Sequence, residues 1–177
     1  CRPLGKFNKL IFSPGLLTGS PAANSGRLSA GAKSPLTGGI KESNAGGYAS
    51  QKLAKLGIAG LVLEDKPEGN DYSIIVINND GVQILPAGDL VGKGNYAVME
   101  SLWGKYGKNV AVLSIGQAGE QCLKGASIQQ ADMNGRPGRA HGRGGLGAVM
   151  GSKKIKAIVV DDKGAPRIEM KDPEAFK

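Results

Sequence analysis

A chain of 177 residues is enough for one domain with a real core, or for two very small ones. Its 23 basic and 15 acidic residues leave a net charge of +8, which favours an anionic partner, while aromatic residues at 5% leave few platforms for stacking bases, so nucleic acid is disfavoured. No apolar run approaches the roughly 18 residues of a membrane span, and two cysteines with one histidine give neither a disulfide framework nor a zinc cluster.

Glycine is the outlier at 29 residues. The glycines are interleaved with Pro, Ser, Thr and Arg between hydrophobic runs, which is the composition of built loops. Cys1 and Cys122 form no C-x-x-C pair and read as plain core or surface residues in a reducing, cytoplasmic setting. The chain opens CRPLGKFNKLIF, without an initiator Met or a signal peptide, and is expected to be a piece of something longer.

In chain order, KLIFSPG (9–15) reads as a strand stopped by Pro-Gly. Residues 13–47 are almost all turn chemistry, with the related tags SPGLLTG and SPLTGG on either side of a strand in GRLSAGAK that carries Arg27 at its start. ASQKLAKLG (49–57) predicts a helix ended by Gly57, and GLVLED (60–65) a buried-type strand. YSIIVINNDGVQILPA (72–87) predicts a hairpin turning at Asn79-Asp80-Gly81. GNYAVMESLWGKYG (94–107) predicts an amphipathic helix with Tyr96, Met99, Leu102 and Trp103 facing the core. Strands follow in NVAVLSIG (109–116), GASIQQAD (125–132) and KIKAIVVDD (154–162), and the polar tail reads as a linker. Strands outnumber helices and often adjoin one another, so the fold class is mixed α+β.

The run GRAHGRGGLGAVMGSKK (138–154) spells G-x-G-x-x-G at Gly142, Gly144 and Gly147. A dinucleotide turn needs a strand directly before these glycines and a crossover helix after them. The preceding QQADMNGRPGRAH is polar and broken, and the stretch before the next apolar run is too short for a parallel crossover. The dinucleotide reading therefore fails. Gly142, Gly144, Gly145 and Gly147 are instead expected to let backbone N–H groups approach an anion, with AVMGSK offering a helix N-terminus and Arg139 and Arg143 adding forked donors. A plain solvated basic loop is the alternative.

Several long stretches resemble tungsten-containing aldehyde ferredoxin oxidoreductases. GRAHGRGGLGAVMGSKKIKAI is similar to that family's RAAGRGGxGAVMGSKxLKAI, GLLTGSPAANSGRLSAGAKSPLTGGIKESNAGG to its GPLTG…SGR…TKSPLTGG…SNAGG, SIGQAGE to its SIGPAGE, and LAKLGIAGLVLE to its LKFAGYDGIIIEG. The resemblance runs in order over roughly residues 8–161. It implies a tungstopterin-binding amino-terminal domain over 1–162, truncated at its start, followed at 163–177 by a linker toward a second domain. In the family one tungsten is held by two pterins, and a magnesium ion bridges their phosphates. Carried over by position, Arg27, Asn44, Gly46, Arg139, Ala140, Gly142 and Arg143 are the cofactor-binding residues, Gly26 keeps the turn tight, and the backbone carbonyls of Asn44 and Ala140 face the magnesium. The implied parent, a tungsten (or molybdenum) pterin enzyme, oxidises an aldehyde to a carboxylic acid, or runs the reverse, with electrons passing through a [4Fe–4S] cluster to ferredoxin. The cluster's ligands lie outside this sequence, and a homo-oligomer is left open.

Some positions depart from the family pattern. His141 stands where Ala is usual and is expected to point to solvent, Gln117 replaces a Pro, and GRPGR reads as an insertion. No residue is assigned as a catalytic acid or base; Glu42 and Glu120 read as exposed structural residues. The isolated chain is expected to be inactive. The competing reading is a non-catalytic basic module that binds a phosphorylated small molecule or a protein.

Overall fold

The computed structural model describes residues 1–132, 134–166, 168–169, 171–172 and 174–175. Among these residues, ten short strands form two sheets. The first contains β1 (Leu10–Pro14), β2 (Leu28–Lys33), β3 (Ile40–Ala45) and β4 (Leu61–Leu63), antiparallel in the order β3-β2-β1-β4. Alternation sets its inner face: Leu10 and Phe12 on β1 and Leu28, Ala30 and Ala32 on β2 turn inward while their neighbours do not.

The second sheet contains β5 (Ser73–Asn78), β6 (Gly81–Pro86), β7 (Ala111–Ser114), β8 (Ile128–Gln130), β9 (Arg139–His141) and β10 (Ile155–Val160). The order is β6-β5-β10-β7-β8-β9, and only the β10/β5 pair is parallel. β7 and β10 are buried along their whole length, which explains why AVLS and IKAIVV read as continuous apolar runs instead of alternating ones.

Among the described residues there are four α-helices: α1 (Ala49–Lys55), α2 (Asn95–Tyr106), α3 (Gln117–Glu120) and α4 (Leu146–Ser152). α1 and α4 each touch both sheets, and every residue of α4 is buried, as expected of a helix that is apolar or small all round. α2 packs on β7. A buried ion pair ties α3 to β10: the Lys156 ammonium bonds the Glu120 carboxylate and the Lys93 carbonyl at 2.8 Å, while the carboxylate accepts the Gly92 N–H at 3.0 Å.

The α+β class and the strands expected at 9–15, 109–116, 125–132 and 154–162 hold, as do the hairpin and the helices over 49–57 and 94–107. Other readings are corrected. The 60–65 strand is three residues at a sheet edge with only Leu63 buried, because β1 is its one neighbour. On α2, Met99 and Leu102 are buried as expected, Val98 joins them and Trp103 packs partly buried against the core, whereas Tyr96 is 70% exposed. Glu120 is not an exposed residue; its side chain keeps 11% exposure under Lys156. Part of the tail expected as a linker lies outside the described residues.

Candidate functional site

Two loops from different sheets meet at one end of the fold. In the first, Arg27 leads into β2 and Asn44 sits near the end of β3, where the register pairs Asn44 with Ser29. The exposed Arg27 clasps Asn44, donating Nε–H to its side-chain oxygen and Nη2–H to its carbonyl at 3.1 Å. Asn44 in turn donates Nδ2–H to Ser29 Oγ at 3.1 Å. Guanidinium carries five donors, so three remain for an incoming anion.

The second loop is the turn between β8 and β9. Asp132 braces it by accepting the backbone N–H groups of Asn134 and Arg136, each at 2.9 Å, and the Arg136 bond is the main reason its carboxyl sits below the usual range. The brace delivers Arg139 to the first loop, with its Cδ 4.0 Å from where a Gly46 Cβ would stand. Arg27, Gly46, Gly47 and Arg139 thereby line one cleft of ≈ 450 Å³, together with Asn24, Tyr48 and Gln51. Gly26 needs no side chain because Gln51 Nε2 lies 3.0 Å from the space a Cβ would take.

The seam between the loops is a side-chain joint. β3 and β9 edge different sheets and lie against each other. His141 is fully buried, with Nδ1 2.8 Å from the Ser43 carbonyl and Nε2 3.3 Å from Gln130 Nε2. Burial pushes its imidazole below the usual range. The expectation that His141 points to solvent is therefore wrong: its ring stands edge-on to Phe12, at 6.0 Å between centroids, inside the core. The Arg143 backbone N–H adds a bond to Ser43 Oγ at 3.3 Å.

The glycine run divides in two. Gly142 and Arg143 are exposed, but Gly144, Gly145 and Gly147 are buried. An added Cβ would meet Lys124 O at 2.0 Å from Gly145 and Ser127 O at 2.4 Å from Gly147. The N–H of Gly147 already donates to Ala126 O at 3.0 Å, so this donor at the start of α4 is engaged within the protein itself. Close packing accounts for these three glycines, against backbone carbonyls at Gly145 and Gly147 and against the Lys41 side chain at Gly144, whose φ is +80°, which corrects that part of the sequence reading. Ser34, at the head of SPLTGG, pins the run by donating to the Gly144 carbonyl at 2.6 Å.

The sequence model described as "Aldehyde ferredoxin oxidoreductase, N-terminal domain" matches residues 1–162. The chain belongs to the aldehyde ferredoxin oxidoreductase family. It is 42% identical over 98% of its length to a tungsten-containing aldehyde ferredoxin oxidoreductase of Thermococcus kodakarensis, of which it covers 27%. A Pyrococcus furiosus "Aliphatic sulfonate oxidoreductase, WOR-like subunit" is 30% identical over 99% of the chain and is covered to 28%. Among solved structures, a chain of the active site complex BamBC of benzoyl coenzyme A reductase superposes with a TM-score of 0.83 at 35% identity, over 90% of this chain and 23% of that one. The chain thus spans about a quarter of the length of these relatives.

Of the positions matched to the family's motifs, the fold brings Arg27, Gly46 and Arg139 into the cleft, with Asn44 held on Arg27. Ala140 lies exposed on β9 next to the seam; Gly142 and Arg143 follow it and do not line the cleft. Tyr48 and Gln51 also line it, and sequence reasoning missed them. Their signal was present, since both sit at the start of the helix that directly follows SNAGG. Among the described residues no helix is long and apolar enough to cross a membrane.

Proposed function

We propose that this chain is the cofactor-holding part of a longer, cytoplasmic tungsten enzyme of its family, with residues 1–162 as the domain and those after it leading onward. One observation carries the reading. Two glycine-bearing loops, far apart in sequence, deliver Arg27 and Arg139 to the same cleft. Two arginines facing one hollow suit a ligand with more than one anionic group, because guanidinium forks pair with phosphate oxygens.

The donor set fits a phosphate-bearing bis-pterin tungsten cofactor accompanied by a magnesium ion. Arg27, Arg139 and Arg143 would hold phosphate and pterin oxygens, and Gly46 and Gly142 would let the backbone come close. The carbonyls of Asn44 and Ala140 would serve the magnesium, a hard cation that takes oxygen ligands and is indifferent to side-chain identity at a main-chain site. The Asn44 carbonyl has two lone pairs, of which Arg27 engages one.

When bound, the cofactor supplies two-electron chemistry that turns an aldehyde into a carboxylic acid, with a [4Fe–4S] cluster and ferredoxin taking the electrons. This chain's part is binding, orientation and electrostatics. Aldehyde is favoured over sulfonate as the substrate class because the relatives at 39–42% identity carry the aldehyde name and the sulfonate relative stands at 30%. By itself the chain is inactive.

The test is Arg139→Ala in the intact enzyme, purified without oxygen, with tungsten and released oxidised pterin measured per folded chain. Losing charge-assisted bonds worth about 1.5–3 kcal/mol each lowers cofactor retention roughly tenfold or more. Unchanged metal and pterin content refutes the assignment of this loop.

A further inference from the structure

We infer that buried His141, oriented by Gln130, clamps the Ser43 carbonyl and so sets the spacing of the two cofactor loops as a positioning residue. The inference rests on the cofactor reading above. It begins from the seam, where β3 and β9 share no backbone ladder and Ser43 is the strand residue that both seam bonds reach.

The proton positions follow from the partners. The Ser43 carbonyl only accepts, so His141 Nδ1 carries the hydrogen of the 2.8 Å bond. In the neutral ring Nε2 is then an acceptor and takes an N–H from Gln130 at 3.3 Å. Fixing the Gln130 amide this way turns its Oε1 toward Gly47, where a Cβ would stand only 2.5 Å from it. That oxygen has no partner among the described residues. Gly47 therefore has no room for a side chain, and its φ of +128° also suits glycine alone. The clamp thus touches the residue before Asn44 and the residue after Gly46, and His141 itself directly follows Ala140. Phe12 locks the ring edge-on, so the two loops cannot shift independently of it.

Partners one step removed from a metal ligand commonly change metal affinity 10–100-fold. The test compares two polar substitutions in the intact enzyme. His141→Asn keeps a donor near Nδ1, aimed at Ser43. His141→Gln places its amide near Nε2 and gives up Ser43. Tungsten, magnesium and pterin are measured per folded chain, with the rate of magnesium loss into excess EDTA and the melting temperature. His141→Asn is expected to stay within about threefold of wild type in magnesium loss, and His141→Gln to lose the ion about tenfold faster and carry less pterin at a similar melting temperature. If the two variants lose magnesium equally fast, or both match wild type with only the melting temperature lowered, His141 is a core residue and the clamp is refuted. Wild-type enzyme without tungsten or pterin overturns the cofactor reading, and this inference with it.

Discussion

Gly147→Ala tests whether the third glycine of G-x-G-x-x-G serves packing or a ligand. An added Cβ would meet Ser127 O at 2.4 Å and its carbonyl carbon at 2.7 Å, where ordinary contact begins at 3.4 Å. α4 would have to move by about 1 Å, and it is buried on every side. Overpacking of this kind costs about 1–3 kcal/mol, sometimes more, and the gain in helix propensity from Gly to Ala returns only about 1 kcal/mol. With the upper end of that cost for a contact as short as 2.4 Å, the net loss is about 2 kcal/mol, which lowers the melting temperature of a chain this size by about 4–8 °C. Gly104→Ala is the control: it is an exposed position inside α2 with nothing within 4 Å of an added Cβ, so it should stabilise by about 0.5–1 kcal/mol. Thermal and urea unfolding, followed through Trp103, measures both. Gly147→Ala with unchanged stability but weakened phosphate or pterin binding would refute the packing argument.

Other outcomes follow from buried polar groups. Glu120→Ala strands the fully buried Lys156 ammonium and should cost about 3–5 kcal/mol, while Glu120→Leu combined with Lys156→Met should recover most of it; urea midpoints decide, and equal losses in both refute the ion-pair account. Tyr72 donates to the Glu120 carbonyl at 2.8 Å, and burial, aided by the nearby Cys122 and Glu120, pushes its pKa up from 10.0 to about 12. The unfolded phenol therefore ionises first, so Tyr72's contribution is whole below pH 10 and is lost as pH rises toward 12. The stability gap between wild type and Tyr72→Phe should narrow across that window, and a constant gap would contradict the burial argument.

Local rules made much of the fold readable. LSAGAK and LIFSP alternate, IIVIN and IKAIVV run apolar because both faces are covered, and Gly57 ends its helix at φ +73°. β3 was hidden because IKESNA edges a sheet and buries only Ser43 and Ala45, leaving no apolar stripe to read. β9 is three residues long and exists through its pairing with β8. The site was legible as motifs but not as geometry. The atoms that exclude side chains at Gly145 and Gly147 belong to Lys124 and Ser127, and the carbonyl that draws His141 inward belongs to Ser43. No pattern within the glycine run distinguishes a backbone neighbour from a ligand.

The meeting of β3 and β9 also bears on solubility. A sheet edge offers unpaired backbone groups to any passing strand, and each of these two sheets ends one of its edges at the cleft. Lying against each other, β3 and β9 shield those edges from foreign strands while remaining two separate sheets. The outer edges are defended differently: β4 is only three residues long, and β6 ends at Pro86, which has no N–H to offer. With the cleft at this shielded junction, the glycine-lined backbone of its loops stays open without also inviting aggregation.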